Sequence, residues 1–372
     1  MNNIQKLYEK GQSIWCDHLS RAMLDGGELQ RLIDLGVVGV TSNPTIFMKA
    51  ITGGTDYDAR IAELSARGHD IMTLYEGLVL PDIADAADRL RDVYERTDGV
   101  DGYVSLEVNP KLAYDTEGTT AEARRLFRTL DRPNVFIKVP ATEEGIPAIE
   151  TLIGEGIPVN VTLIFSLEMY RRVMQAYLSG LKRWMDGGGD PKGVASVASF
   201  FVSRVDTLVD ARLKDKEGEG AQVADLYGRA AVANARLAYA EFRKVFGADG
   251  PFAPLARRGA HVQRPLWAST STKNPAYSPT KYVDELVGPD TVNTLPPQTI
   301  QAVLERGSCE VTIDRDLDDA RRMFERLAEL GIEMREVTAQ LSEDGVRLFA
   351  ESFDRLLEDL AGKRERLRAA AG

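Results

Sequence analysis

The sequence contains 372 residues with a formal net charge of −11 at pH 7, and 44% of its residues are hydrophobic. No stretch approaches the roughly twenty apolar residues that a membrane-spanning helix needs, so a membrane protein is excluded. The acidic balance argues against a nucleic-acid partner, because phosphate backbones are bound by basic surfaces, but a small phosphorylated ligand needs only a few cations in its pocket.

The first residues of the chain bear on its location. Residues 1–17 lack the apolar core and the small-residue cleavage site of a secretory signal, so export is not expected. Cys16 and Cys309 are the only two cysteines. They are too few for a disulfide framework, and a reducing compartment fits this usage. The sequence therefore predicts a cytoplasmic location.

Short apolar, β-branched runs recur along the chain, and longer stretches with helical periodicity separate them. Runs that are almost continuously apolar indicate strands buried on both faces, and intervening helices favour parallel pairing. The eight runs are residues 13–17, 37–42, 102–108, 134–140, 158–165, 194–203, 264–269 and 290–296. The sequence predicts an α/β fold, a (β/α)8 TIM barrel that forms one domain over residues 1–372.

Two segments exceed a minimal barrel, which predicts extra helices toward both ends of the chain. We expect about two helices in residues 50–100, before the third strand, and a mostly helical closing segment over 296–372. An apolar stripe in that segment is formed by Val346, Phe349, Phe353, Leu356 and Leu360. We expect the stripe to dock on the barrel, because heptads are not sustained as in a coiled-coil seam. Monomer and homodimer both remain open.

Polar side chains interrupt the apolar runs near their carboxyl ends, where parallel barrels carry their active sites. Because successive side chains of a strand alternate between its two faces, residues of one parity point into the barrel. The inward set comprises Asp17, Asn43, Glu107, Lys138, Asn160, Thr162, Ser199 and Ser269. These residues predict a polar site at one end of the barrel.

Lys138 places an ammonium group in the middle of an apolar strand. Burial and nearby cations lower the pKa of a lysine, and the neutral amine can attack a ketone to form a Schiff base. Such chemistry needs carboxylates for proton transfer, and Glu107 and Asp17 end two other strands. The alternative is structural: Lys138 forms a buried ion pair with one of these acids, or the acids cap the helices that follow them.

The two asparagines of the inward set also have structural interpretations. Asn43 precedes Pro44, so it suits a turn or a helix cap. Asn160 and Thr162 belong to a glycosylation sequon, but an apolar strand in a cytosolic chain argues against that modification.

Arg204, Ser269 and Lys273 are candidates for binding phosphate, because they follow the sixth and seventh strands, where barrels often bind that group. A lone cation in a loop is otherwise ordinary solvated surface. The three histidines, His18, His69 and His261, lack metal-ligand spacing, and no glycine-rich nucleotide motif occurs. We therefore expect neither a metal nor a cofactor.

Two segments closely resemble the signature motifs of the transaldolases: GVTSNPTIF at 39–47 and FIKVPATEEG at 136–145. Further segments resemble the third, fifth and sixth strands of that family in the same order: SLEVNPKLAYDTEGT, VNVTLIFS and ASFFVSRVD. The resemblance covers most of the chain. It is closest to the longer bacterial transaldolases, including those fused to phosphoglucose isomerase.

The resemblance implies a pentose phosphate pathway enzyme without a cofactor. It would move a dihydroxyacetone unit from sedoheptulose 7-phosphate to glyceraldehyde 3-phosphate, giving erythrose 4-phosphate and fructose 6-phosphate. Lys138 would form the Schiff base, Glu107 would relay protons through a water held with Thr162, and Asp17 would act on the cleaved hydroxyl. The substrate-binding residues would be Asn43, Asn160, Ser199, Arg204 and Ser269.

The loop after the seventh strand departs from the family pattern. Shorter members carry an arginine two residues after the phosphate-binding serine, whereas Ser271 stands there in this chain. We predict that Lys273, the nearest cation, replaces that arginine.

Two other functions compete with a transaldolase. A Schiff-base fructose 6-phosphate aldolase would use the same barrel, but such aldolases are much shorter than this chain. Glu107 in the SLEV motif of this sequence also favours the transferase. A non-catalytic sugar-phosphate-binding barrel would need a broken set of Lys138, Glu107 and Asp17, and all three residues are present.

Overall fold

The structure, a computed structural model, describes residues 1–371. Within them, eight parallel strands close into a barrel in chain order. The strands are β1 (Gln12–Cys16), β2 (Gly39–Thr41), β3 (Tyr103–Glu107), β4 (Val135–Pro140), β5 (Val159–Ile164), β6 (Ser196–Phe201), β7 (Arg264–Ala268) and β8 (Thr291–Leu295). Seven of them lie inside the predicted runs and β1 begins one residue before its run, so the (β/α)8 barrel is confirmed.

Helices surround this barrel and extend it at both ends of the described chain. They are α1 (Asn3–Glu9), α2 (Arg21–Asp25), α3 (Glu28–Asp34), α4 (Pro44–Thr52), α5 (Asp58–Ala66), α6 (Ile71–Arg89), α7 (Arg91–Arg96), α8 (Thr116–Leu130), α9 (Gly145–Ile153), α10 (Leu167–Asp186), α11 (Ser203–Gly218), α12 (Ala230–Phe246), α13 (Ala253–Ala256), α14 (Lys281–Asp284), α15 (Pro297–Arg306), α16 (Leu317–Glu329) and α17 (Met334–Ala371). Among residues 1–371, none of these helices combines the length and apolar character that crossing a bilayer requires.

The segment before β3 holds more helix than the sequence predicted. Instead of about two helices over residues 50–100, the end of α4 is followed by α5, α6 and α7. The prediction was too low because α5 and α7 span only nine and six residues. Periodicity does not separate helices this short from loops.

The strand register places the polar residues of neighbouring strands at one level of the barrel. Glu107 on β3 pairs with Lys138 on β4, and Lys138 pairs with Asn160 on β5. Aromatic residues of the same parity fill the barrel nearer its amino-terminal end. The Trp15 and Phe136 ring centroids are 6.1 Å apart, and those of Tyr103 and Phe136 are 4.0 Å apart. The polar level therefore rests on an aromatic layer.

A buried ion pair closes the amino-terminal end of the barrel. Arg264 on β7 donates to the carboxylate of Asp101 at 2.9 Å, and Asp101 is fully buried. The same carboxylate accepts hydrogen bonds from the Ser13 hydroxyl at 2.8 Å and from the Trp15 indole at 3.1 Å. This network joins β1, β7 and the loop before β3.

We expect the Arg264→Met substitution to lower the free energy of unfolding by about 3 kcal/mol, because it leaves the Asp101 carboxylate buried without its cation. Urea denaturation followed by circular dichroism measures the change. Arg258→Met is the matched control: Arg258 pairs with Asp186 at 3.4 Å with both side chains about half exposed, so its loss is expected to cost less than about 1 kcal/mol. Equal losses in the two variants would contradict a special role for the buried pair.

The last helix, α17, docks on the barrel through the predicted apolar stripe. Val346, Phe353, Leu356 and Leu360 are buried, and Phe349 is partly buried against the core. Farther along the helix, the buried Lys363 ammonium donates to the backbone carbonyls of Ile51 and Gly54 at 2.8 and 2.5 Å. It also lies 2.6 Å from the Asp58 carboxylate. The expected docking is confirmed, and these contacts attach α17 to the segment that follows β2.

Candidate active site

A cavity of about 380 Å³ lies at the carboxyl ends of the strands. Its wall includes eight of the ten residues predicted for the site. They are Asp17, Asn43, Lys138, Thr162, Ser199, Arg204, Ser269 and Lys273. The other two, Glu107 and Asn160, do not line the cavity but contact the lining residues Lys138 and Ser199. The structure thus brings all the predicted residues together at one end of the fold.

Lys138 lies at the base of this cavity and is 5% exposed. Its ammonium group donates to the backbone carbonyl of Ser42 at 3.1 Å and lies 3.5 Å from the Glu107 carboxylate. The buried ion pair considered from the sequence is therefore present, but its separation exceeds that of a strong charge-assisted hydrogen bond. An amine held this loosely, and facing a cavity, is placed to meet a carbonyl carbon.

Glu107 is buried beside Lys138 with unused hydrogen-bonding capacity. Burial raises the pKa of Glu107, and the nearby Lys138 charge partly opposes that rise. Within the described chain, neither carboxylate oxygen has a hydrogen-bond donor in good geometry, and the buried Thr162 hydroxyl also lacks a partner. Buried polar atoms without protein partners commonly bind water, so this pair suits a bridging water molecule.

Asp17 follows β1 and is held by a threonine from a neighbouring strand. Burial raises the pKa of Asp17, against the opposing effects of the Thr41 hydrogen bond and the Lys138 charge. The Thr41 hydroxyl donates to Asp17 Oδ1 at 2.6 Å, and it lies 2.6 Å from the hydroxyl of Thr294 on β8. The sequence analysis missed both threonines. Thr41 could have been predicted, because it has the same parity along its strand as the inward-facing Asn43.

The two asparagines have different surroundings. Asn43 caps α4, since its side-chain oxygen accepts from the Ile46 amide at 3.0 Å, while the residue also lines the cavity. Asn160 is fully buried below the lining. It donates to the Ser105 hydroxyl at 3.0 Å and accepts from Ser199 at 2.7 Å. Asn160 therefore orients Ser199, and its burial in a strand argues against glycosylation.

The phosphate candidates lie on one side of the cavity. Arg204, in the first turn of α11, is partly buried. Burial lowers the pKa of Arg204, and the charges of Asp344 and Glu107 oppose that shift. Ser269 has a left-handed backbone with φ of 55°, and its hydroxyl lies 2.9 Å from that of Ser203. A non-glycine residue in this conformation after a strand commonly marks a functional turn.

Lys273 is more exposed than Arg204 and lies at the mouth of the cavity. Its ammonium donates to the Ser271 hydroxyl at 2.8 Å, so it lies beside the residue that the sequence comparison singled out. Burial raises the pKa of Asp17, and the Lys273 charge is one of the effects that oppose this rise. Lys273 therefore faces the cavity, although its side chain is solvated.

Further residues of the cavity wall were missed by sequence reasoning: His18, Lys49, Gln298 and Phe349. His18 directly follows Asp17, which was the available clue, whereas Phe349 comes from α17 and has no local clue. Across residues 1–371, no three His, Cys, Asp or Glu side chains are grouped to hold a metal ion.

The fold and the cavity define a class of protein: a (β/α)8-barrel enzyme with a buried lysine at the carboxyl end of its strands. The family model described as Transaldolase/Fructose-6-phosphate aldolase matches residues 14–360. The chain belongs to this family, and the resemblance noted in the sequence motifs is confirmed.

Proteins named transaldolase are similar to this chain over nearly its whole length. That of Mycobacterium tuberculosis (strain ATCC 25618 / H37Rv) is 50% identical over 359 residues, covering 96% of each chain. That of Mycolicibacterium smegmatis is 50% identical over 363 residues, covering 97% of each. The Saccharopolyspora erythraea protein is 49% identical over 359 residues, again covering 96% of each.

Proposed function

We propose that this protein is a transaldolase that moves a dihydroxyacetone unit from sedoheptulose 7-phosphate to glyceraldehyde 3-phosphate. The observation that carries the proposal is the buried Lys138 amine at the base of the cavity, 3.5 Å from the Glu107 carboxylate. The proposal includes a cytoplasmic location. Two unbonded cysteines, Cys16 and Cys309, support that location.

In the first stage, the Lys138 ammonium passes a proton to the Glu107 carboxylate, 3.5 Å away, and the neutral amine attacks the C2 carbonyl of the donor to form a carbinolamine. Loss of water from this adduct gives an iminium ion, and the departing hydroxyl needs a proton. Glu107 is the nearest acid, and burial raises its pKa, which favours the protonated form that can give up this proton. A water held by Glu107 and Thr162 would pass that proton to the adduct.

In the second stage, Asp17 removes the proton from the C4 hydroxyl of the iminium intermediate. The bond between C3 and C4 breaks, C4 becomes the aldehyde of the departing aldose, and the bonding electrons move into an enamine on Lys138. The hydrogen bond from Thr41 at 2.6 Å orients the Asp17 carboxylate for this step. The enamine then attacks the acceptor aldehyde, and reversal of the first stage releases the new ketose.

Lys273 provides a direct test of phosphate binding. We expect Lys273→Gln to raise KM for glyceraldehyde 3-phosphate about tenfold, because one charge-assisted contact contributes ~1.5 kcal/mol. Steady-state kinetics with this acceptor measures the effect. Lys192→Gln is the matched control, because Lys192 pairs with Asp98 in a loop that precedes β6, at the other end of the barrel. An unchanged KM in Lys273→Gln would remove Lys273 from the phosphate site.

The family also includes fructose 6-phosphate aldolases, so the fate of the enamine distinguishes the two activities. A transaldolase keeps the three-carbon unit on the lysine until an aldehyde arrives, whereas an aldolase releases free dihydroxyacetone. The test is to incubate the protein with fructose 6-phosphate, add erythrose 4-phosphate or buffer, and then reduce with borohydride. Loss of the trapped adduct only with erythrose 4-phosphate supports the transferase, and steady release of dihydroxyacetone in buffer supports the aldolase.

A further inference from the structure

The guanidinium group of Arg204 lies beside two phenylalanine rings. Its central carbon is 5.3 Å from the ring centroid of Phe201, at the end of β6, and 5.9 Å from that of Phe349, on α17. Both distances fall within the range of a cation–π interaction. All three side chains line the cavity, so a helix at the far end of the chain contributes to its wall.

These two rings hold Arg204 without using its hydrogen-bond donors. Among residues 1–371, no acceptor is hydrogen-bonded to the guanidinium and no carboxylate lies within ion-pair distance of it. The Asp344 and Glu107 charges act on Arg204 only from farther away, where they oppose the lowering of its pKa by burial. Since a guanidinium carries five N–H donors in a planar fork, the group remains able to bind a phosphate in bidentate fashion.

The position of Phe349 is set by contacts along α17. One turn later, the Ser352 hydroxyl lies 3.1 Å from that of Thr45 on α4. Asp354 forms an ion pair of 2.5 Å with Lys111, in the segment that follows β3. The half-exposed Lys111–Asp354 pair adds little, so the Thr45 contact and the buried Phe353 on the same helix hold the Phe349 ring at a defined place beside the cavity.

We propose that Phe349 is a positioning residue for the phosphate group of the substrate, acting through Arg204. Together with Phe201 it fixes the guanidinium plane while leaving the N–H donors free, which makes α17 part of the phosphate-binding wall. This inference rests on the proposed function for the identity of the substrate. The packing of Arg204 between the rings does not depend on it.

Phe349→Leu is the test, because leucine keeps apolar contact with the barrel but removes the aromatic face. We expect KM for fructose 6-phosphate to rise about threefold to tenfold with little change in kcat. Inhibition by inorganic phosphate should weaken in the same proportion. The rate of borohydride trapping with saturating dihydroxyacetone, which has no phosphate, should stay the same. Phe349→Tyr retains the ring and should restore the KM of the original protein.

Phe353→Leu is the matched control, since Phe353 lies one turn further on α17 and packs edge-on against Tyr75 at 5.4 Å, away from Arg204. It reports what the same substitution does to the helix alone. Comparable KM changes in Phe349→Leu and Phe353→Leu would overturn the proposal. A slower dihydroxyacetone reaction in Phe349→Leu would overturn it as well.

A double-mutant cycle isolates the route through Arg204. If Phe349 acts through the guanidinium, Phe349→Leu should weaken phosphate inhibition no further once Arg204→Met is present. Independent, additive effects would overturn the proposal. Failure of the proposed function is distinguishable, because it would leave the original protein without a borohydride adduct on Lys138. The phosphate inhibition constants, or direct phosphate binding measured by calorimetry, would still test the pairing of Phe349 with Arg204.

Discussion

The Lys138→Met substitution is expected to abolish the borohydride-trapped adduct and to lower kcat by ~10⁴-fold or more, because removal of a covalent nucleophile disables both halves of the reaction. Methionine retains most of the side-chain volume in the barrel. Glu107, left without its neighbouring cation, can take up a proton because burial already raises its pKa. The variant should therefore fold, which circular dichroism and thermal unfolding would check.

Mass spectrometry after reduction with fructose 6-phosphate measures this result. The original protein should gain one dihydroxyacetone unit on Lys138. Lys182→Met serves as the control, since Lys182 is exposed on α10 and pairs with Asp186 at 2.9 Å. It should form the adduct with normal yield. An adduct of equal yield in Lys138→Met would exclude the Schiff-base role and would revive the non-catalytic sugar-phosphate-binding interpretation.

Glu107→Gln is expected to lower kcat by about 10²- to 10⁴-fold while changing KM little, because it removes a proton-transfer group without changing its shape. Glutamine cannot exchange a proton with the carbinolamine hydroxyl. Formation of the trapped adduct should slow in proportion, although its final yield should be retained because Lys138 is still present.

The same variant should change the pH profile in a defined direction. Because burial raises the pKa of Glu107, its ionised fraction grows only as pH rises through a value above that of an ordinary glutamate. Steps that need the ionised form therefore slow as pH falls through that value. In Glu107→Gln this part of the acid limb should disappear, and the remaining limb should belong to Asp17, whose pKa burial also raises.

Glu122→Gln is the matched control for this variant. Glu122 is a partly buried glutamate on α8 that pairs with Arg125 at 2.9 Å, outside the active-site cavity. Its replacement should leave kcat and the acid limb of the profile unchanged. A Glu107→Gln variant with the kcat of the original protein would contradict the proton-relay role.

Local patterns in the sequence were sufficient to predict the barrel and eight residues of its cavity wall. Strands buried on both faces are apolar throughout, so a polar residue within one stands out. The alternation of side chains then assigns Lys138 and Glu107 to the same interior, and the observed register pairs them. The expected docking of α17 followed from its apolar stripe in the same way.

Contacts between distant parts of the chain depended on the tertiary structure. The pairing of Arg264 with Asp101 and the cation–π contact of Arg204 with Phe349 join residues more than a hundred positions apart. The periodicity of a sequence shows which face of a helix or strand is apolar. It does not show which other element packs against that face, or at which residues the two elements make contact. The sequence by itself therefore determined the barrel and the inward-facing Lys138. Only the packed fold decided that the Phe349 ring lies beside Arg204 and that Arg264 pairs with Asp101 at the amino-terminal end of the barrel.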